Sequence, residues 1–397
     1  MNISLTKAID NVSLCLFVII CFFLTRQFPF KEYSFIMNLG TFAFFVIQFK
    51  WVIENNNKYN VVLLLLYLLA IAFLIPYSIF MGNNLGLVFR FSFILLFLML
   101  GFFIKPNEKY LSVFLFFNIF QALFLIGFHL ILNYFFTIDT YNIVRFWFKE
   151  HGFGDVYTYN GYLYNIQLLG NALLPVSFFI CLVIFKGFKR FLMASISLLG
   201  VLVAGNFAFF LGVFIFFVLF IFIKVKVEFI NWILSFAFLF CISLAMFNPV
   251  LNYIETTLDK KSEESNPVRI DQAQVLLDDL KESNFTFLFG KGLGNTVDRK
   301  TKWRNYQDNV YFELQSLYFL NQLGVLPFLI FVSFNILLII IFFSNPLVKA
   351  TYISYLFYSS FNPYFLDTSH IIVVVVLISL NRYLKINKGI SQNAINK

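Results

Sequence analysis

The chain has 397 residues, of which 60% are hydrophobic, 12% are charged and sixty are phenylalanine. Soluble globular domains carry about a quarter of their residues as charges, so this composition excludes one and specifies a polytopic integral membrane protein. The net charge of +9 does not point to nucleic acid, because the lysines and arginines are scattered over short loops between apolar runs, as membrane orientation requires.

Crossing roughly 30 Å of hydrocarbon takes about 20 apolar residues, or fewer in a packed bundle. On that scale the sequence predicts twelve spans, near 11–25, 34–53, 61–80, 85–104, 110–136, 162–185, 190–205, 207–223, 229–247, 325–343, 347–361 and 366–384. Lys7 and the first apolar run resemble a signal peptide, but Thr25-Arg26-Gln27 offers no small-residue cleavage site, so the run reads as a retained span. Cys15, Cys21, Cys181 and Cys241 all fall in apolar runs, with no CxxC pair and no His at ligand spacing, and read as packing residues. The chain therefore divides into nine spans over 1–247, a large polar insert over 248–324, and three spans with a tail over 325–397.

With the N-terminus inside, fifteen lysines and arginines, from Lys7 to Lys397, fall on the cytoplasmic side, against four (Arg26, Lys31, Arg145 and Lys149) in the short outer loops. That asymmetry predicts both termini in the cytoplasm and the insert outside, away from ATP and nucleotide sugars. Chemistry there needs a pre-energised lipid-linked donor or an ion gradient. No Walker A pattern is present: Gly290-Lys291-Gly292-Leu293-Gly294 lacks its spacing and its Ser/Thr, and predicts a tight turn whose amides either pack inward or face an anion.

Within the insert, Asn266-Pro267 starts a helix that runs to about Lys281. Asp271, Gln274, Asp278 and Glu282 form its watered stripe, whereas Arg269, Ala273, Leu276 and Leu280 form the stripe that docks on the protein. An inward arginine in a first helical turn is either a phosphate or diphosphate seat or the partner of an insert carboxylate. A second helix is predicted from about Asn309 to Leu323, with Glu313 on the same face as Leu317, Leu320 and Gly324. A carboxylate on an apolar face is costly unless paired or functional, so Glu313 is either a general base or the ion-pair partner of an arginine such as Arg269.

Arg90 stands out in its span, placed either to snorkel to the outer surface or to face a cavity that binds an anionic headgroup. His129 and His370 are lone histidines in apolar runs and read as hydrogen-bonded packing residues. Trp147 and Tyr159 in the outer loop 137–161, and Trp303 and Tyr306 in the insert, are candidate sugar platforms, although an interfacial aromatic belt gives the same composition.

Five stretches carry a family resemblance. They are Gln167-Leu168-Leu169-Gly170-Asn171-Ala172-Leu173-Leu174-Pro175, then Ala204-Gly205-Asn206-Phe207-Ala208-Phe209, then Arg269 through Asp279 followed by Phe289-Gly290-Lys291-Gly292-Leu293-Gly294, then Glu313 to Gly324, and last Phe361-Asn362-Pro363-Tyr364. In this order, around a large insert, the chain from about residue 160 onward resembles the bacterial O-antigen polymerases (Wzy class) of the O-antigen ligase and polymerase superfamily. Those are membrane glycosyltransferases that join lipid-linked oligosaccharides outside the cytoplasmic membrane.

The resemblance implies an all-α, GT-C-like polytopic fold in the bacterial inner membrane, with one extracytoplasmic helical insert between spans nine and ten. It implies that Arg269 contacts the lipid diphosphate; Arg90 and Lys291 are further candidate cations for the diphosphate, and the mechanism expected needs no nucleotide, cofactor or metal. Counted twelve residues back from Gly324, both included, the place of the related ligases' proposed base, a His, is held here by Glu313. That departure points to a polymerase over a lipid A-core ligase, and it leaves the identity of the base open. The partners implied are undecaprenyl-diphosphate-linked oligosaccharides, membrane lipids and a polysaccharide chain-length regulator. The competing class is a lipid-linked oligosaccharide flippase, which would place ionisable residues near the midplane and show repeat halves with short loops.

Overall fold

The computed structural model describes residues 3–25, 31–33, 35–54, 58–158, 161, 163–224, 267–307, 310 and 312–395. The expected ninth span, Asn266 and Cys241 lie outside the described residues. The chain is an all-α polytopic membrane protein. Seven of its described helices are long and apolar enough to cross a membrane, with shorter apolar helices at Leu85–Gly101, Gly170–Ile184 and Phe207–Ile223.

The first five helices are α1 (Ile3–Thr25), α2 (Phe35–Glu54), α3 (Lys58–Phe80), α4 (Leu85–Gly101) and α5 (Glu108–Phe135). A short amphipathic helix α6 (Asn142–Glu150) leads into a hairpin of β1 (Gly154–Thr158) and β2 (Tyr164–Leu168), paired antiparallel with Gly154 opposite Leu168. Then come α7 (Leu174–Ile184), α8 (Gly187–Ala204) and α9 (Phe207–Lys224). The described part of the insert holds α10 (267–280), α11 (Asn284–Phe289) and α12 (Gln315–Leu323). The bundle closes with α13 (Val325–Phe342), α14 (Pro346–Ser360) and α15 (Thr368–Ile395).

The core is built around α15. Ile371 to Leu377 are all buried, and the helix packs on α4, α5 and α14. A helix that is apolar on every side belongs in the middle of a bundle, and this one has no lipid face over that stretch. Elsewhere the lipid-facing sides carry the exposed apolar residues, such as Phe73 on α3 and Ile330 on α13.

The expected span over 162–185 is corrected. Residues 164–168 form β2, Leu169–Leu173 a 3-10 turn, and only the eleven residues of α7 continue as helix. Pro175 explains where that helix starts, because a missing N–H costs nothing in a first turn. Non-helical backbone next to spanning helices is stable when its polar groups are satisfied by protein. Here Asn171 Nδ2 donates to Ile166 O at 2.8 Å, Gln121 Nε2 donates to Asn171 Oδ1 at 3.1 Å, and a Cβ on Gly170 would strike the backbone of Leu24 and Thr25.

Candidate functional site

Four connections gather at one end of the bundle. The α3–α4 turn receives the insert's glycine loop: Tyr77 Oη donates to Gly290 O at 2.7 Å, Asn83 Nδ2 to Lys291 O at 2.8 Å, and Leu293 N to Ser78 Oγ at 2.8 Å. The α8–α9 junction turns on Gly205 in the left-handed region (φ 63°), and Asn206 Nδ2 donates to Asn362 Oδ1 at 2.9 Å after α14. Ser316 on α12 donates to Ser360 O at 3.2 Å, and Tyr157 of the hairpin reaches Gly205 O. Four of the stretches that carry the family resemblance thus meet on one surface.

The insert is organised around Asn321, which is fully buried on α12. Its Nδ2 donates to Leu276 O at 3.1 Å and Asp279 Oδ2 at 2.9 Å, its Oδ1 accepts from Asn295 Nδ2 at 2.9 Å, and its backbone oxygen accepts from Lys291 N at 3.0 Å. One side chain therefore ties α10, α12 and the glycine loop together. The loop amides are all spent in this packing: Gly292 N donates to Gln322 O at 2.8 Å and Gly294 N to Gln322 Oε1 at 2.9 Å. The tight turn is observed, with Gly290, Gly292 and Gly294 all at positive φ, and the alternative that its amides face an anion is set aside.

Along α10 and just past its end, Leu276 and Leu280 are buried, and Gln274, Asp278 and Glu282 are exposed, where the spacing puts them; Asp271 is corrected, since it is partly buried and accepts from Thr301 and Tyr306. Arg269 and Glu313 come together, with Nε donating to Oε2 at 3.2 Å. Both are half-open, 41% and 38% exposed, so neither is sealed on an apolar face as expected. Glu313 is also not on the second helix. That helix begins at Gln315, and Glu313 stands in the bend before it, held by Leu314 N donating to Gln272 Oε1 at 3.0 Å. Leu314 at the N-cap position provides no side-chain acceptor, so this helix starts without a side-chain cap.

Close by, Thr301 Oγ1 and Tyr306 Oη both donate to Asp271 Oδ2, at 2.7 and 2.9 Å. This holds the loop carrying Trp303 against the α10 turn that bears Arg269. Trp303 is 45% exposed, with Lys302 Nζ 5.0 Å above its ring. Tyr306 is corrected as a sugar platform: it is fully buried, stacked on Phe312, and its phenol is pushed up by burial and by its bond to the Asp271 carboxylate. Phe312 packs on Tyr318, whose phenol burial raises and the Arg90 charge lowers. Arg90 is exposed, and among the described residues it meets no carboxylate. Arg304, half-buried and near Tyr306, likewise meets none, and sequence reasoning missed it because nothing in its local pattern separates it from a loop cation.

Lys291 is not beside Arg269. It pairs with Glu282 and, at 3.7 Å, with Asp279, ten residues along α10 and therefore about 15 Å away. Its charge is matched by two carboxylates, which removes it from the diphosphate candidates. Trp147, 43% exposed, packs on His151 and Phe153 in the α6 region, and Tyr159 lies outside the described residues. Arg145 in that region is committed to Asp155 through two bonds of 2.9 and 3.0 Å. His370 is fully buried, between Phe365 O at 2.8 Å and Tyr352 Oη at 2.9 Å, and His129 sits between Tyr164 O and Asn133. Among the described residues no group of three or more His, Cys, Asp or Glu is placed to hold a metal ion.

Beside the Arg269–Glu313 pair, Gln272 Nε2 and Gln315 Oε1 are buried with no hydrogen-bond partner among the described residues. One is a donor and the other an acceptor, the two functions a hydroxyl satisfies together. No protein-family model matches the chain, and no curated protein or solved structure matches it either.

Proposed function

We propose that the chain is an O-antigen-type polymerase, a membrane glycosyltransferase that joins undecaprenyl-diphosphate-linked repeat units at the extracytoplasmic face of a bacterial inner membrane, with both termini cytoplasmic. The observation that carries this reading is the half-open Arg269–Glu313 pair, set where the insert meets the bundle. An exposed ion pair is worth only about 0–1 kcal/mol, so an arriving diphosphate displaces the carboxylate from Arg269 at little cost. Displacement frees Glu313 at the moment the donor is in place.

In the reaction, a hydroxyl oxygen of the acceptor sugar attacks the anomeric carbon of the donor glycan. The bond from that carbon to the diphosphate oxygen breaks, its electron pair leaves with the diphosphate, and the hydroxyl proton passes to Glu313. The anomeric centre inverts in this single displacement. Arg269 holds the developing charge of the leaving group, with Arg304 beside Tyr306 and Arg90 beside Tyr318 as further cations that meet no carboxylate among the described residues. Trp303 offers an exposed face to a sugar ring.

Reconstitution with a lipid-linked repeat unit, without nucleotides or metal, tests the proposal. A ladder of glycan sizes supports it. Protected substrate that crosses the bilayer without lengthening would instead assign a flippase, with the insert as its gate.

A further inference from the structure

At the end of the bundle away from the glycine loop, the start of α1, the α4–α5 connection and α15 line a half-open cavity of about 430 Å³. Its wall carries four cations, Lys7, Lys105, Lys109 and Arg382, against two acids, Asp10 and Glu108. Four minus two leaves two net positive charges. Lys105 is already committed, donating to both oxygens of Asp10 at 2.7 and 2.6 Å. Lys7, Lys109 and Arg382 meet no carboxylate among the described residues; Arg382 only offers Nη1 to Pro106 O at 3.4 Å.

The cavity is held in shape by two bonds between groups distant in sequence and by one local cap. Lys105 N donates to Gln48 Oε1 at 3.1 Å, Asn107 N to Ser379 Oγ at 3.2 Å, and Asn107 Oδ1 caps α5 by accepting from Lys109 N at 3.0 Å. The start of a 28-residue helix adds its own positive end to the same space. Its depth is also set: α4 begins against the glycine loop and its 17 residues lead to the cavity, about 25 Å lower, close to a hydrocarbon thickness. Leu14 and Ile386 form an apolar rim beside the cations.

From this arrangement we infer that the cavity binds the phosphodiester headgroup of an anionic membrane lipid, with Lys7, Lys109 and Arg382 on the phosphate and Leu14 and Ile386 against the first acyl carbons. The inference is independent of the glycosyl-transfer reading. Headgroup-level depth and the apolar rim favour a lipid over a soluble phosphate, and basic pockets between helix ends suit such headgroups. Binding would clamp α1, the α4–α5 connection and α15 together, raising stability as any native-state ligand does.

The test is the melting temperature of the full-length protein in neutral detergent, titrated with phosphatidylglycerol, phosphatidylcholine or glycerol 3-phosphate. Phosphatidylglycerol should stabilise at concentrations where the other two do not. Lys7→Gln combined with Arg382→Gln should weaken that response by roughly fivefold per charge removed. Lys385→Gln, on α15 but outside the cavity, should leave it unchanged. Should the double variant fold poorly, Lys109→Gln at an exposed side chain repeats the test. Equal responses to the two lipids, or an unchanged response in the cavity variants, overturns the inference. A response to glycerol 3-phosphate equal to that for phosphatidylglycerol overturns the lipid source and assigns a soluble phosphate.

Discussion

Arg269 Nε donates to Glu313 Oε2 at 3.2 Å, joining the start of α10 to the bend before α12 across 44 residues of chain. The pair is half-open, so little is lost when it is exchanged. Gln272 fixes the backbone beside Glu313, and Asp271 anchors the loop that covers the same helical turn. A weak pair on a rigid mount can be exchanged without disturbing the mount.

Glu313→Gln should therefore keep expression at the wild-type level and folding stability within about 0.5 kcal/mol of it, as surface changes do, while glycan lengthening stops. The amide is nearly isosteric but takes no proton. Wild-type chain lengths in this variant would remove Glu313 as the base. Arg269→Lys should lose most activity as well, because an ammonium cannot give two parallel bonds to a diphosphate; full activity would reduce Arg269 to bulk charge.

Asn321→Leu separates architecture from chemistry. It removes the amide that Leu276 O, Asp279 and Asn295 share, while Asn295 Nδ2 still donates to Asp279 Oδ2 at 3.0 Å, so each lost bond costs about 0.5–1.5 kcal/mol. The insert should unfold first, seen as protease cleavage within 267–324 at temperatures where the bundle is intact. Unchanged protection would mean that the glycine loop holds the insert without Asn321.

Gly290 and Gly324 lie in contact, both at positive φ (79° and 75°). A Cβ on Gly290 would fall within contact distance of Gln322 O and the Gly324 amide, both backbone groups that cannot swing away. Gly290→Ala should undock the loop from the α3–α4 turn, at a cost on the order of 1–3 kcal/mol from the backbone conformation alone. The check is hydrogen exchange at the Leu293 amide, which is protected by Ser78 Oγ.

How much of this was legible in the sequence depends on the range of the interactions. Hydrocarbon runs and the two stripes of α10 are local patterns, and Leu276, Leu280, Gln274 and Asp278 sit where spacing puts them. The hairpin was not legible, because a short buried strand such as Tyr164–Leu168 next to an apolar helix reads as one continuous span. Nor was the fate of Lys291, whose partners Asp279 and Glu282 face it only once the glycine loop folds back along α10. The Arg269–Glu313 pairing was open as one alternative, but its exposure and the bend that carries Glu313 depend on tertiary contacts.

The Lys291–Glu282 pair has a pH signature. Lys291 holds the Glu282 carboxyl below its ordinary value of 4.5. A folded value below the unfolded one contributes stability above pH 4.5 and loses it as the pH falls through the lower folded value. Glu282 is largely exposed, so the effect is under about 1 kcal/mol. Glu282→Gln should melt slightly below wild type at neutral pH, with the gap closing under acid conditions. A gap that stays constant down to the acid range would show that the pair contributes nothing.

The central claim is glycosyl transfer from a lipid diphosphate, with Glu313 taking the acceptor's proton. The most direct measurement counts undecaprenyl diphosphate released against glycosidic bonds formed, by the protein in vesicles with a lipid-linked repeat unit and no nucleotide. The account predicts one released per bond in wild type, and neither product from Glu313→Gln. Bond formation that persists in Glu313→Gln, or vesicles that move the substrate across without releasing any diphosphate, would contradict it.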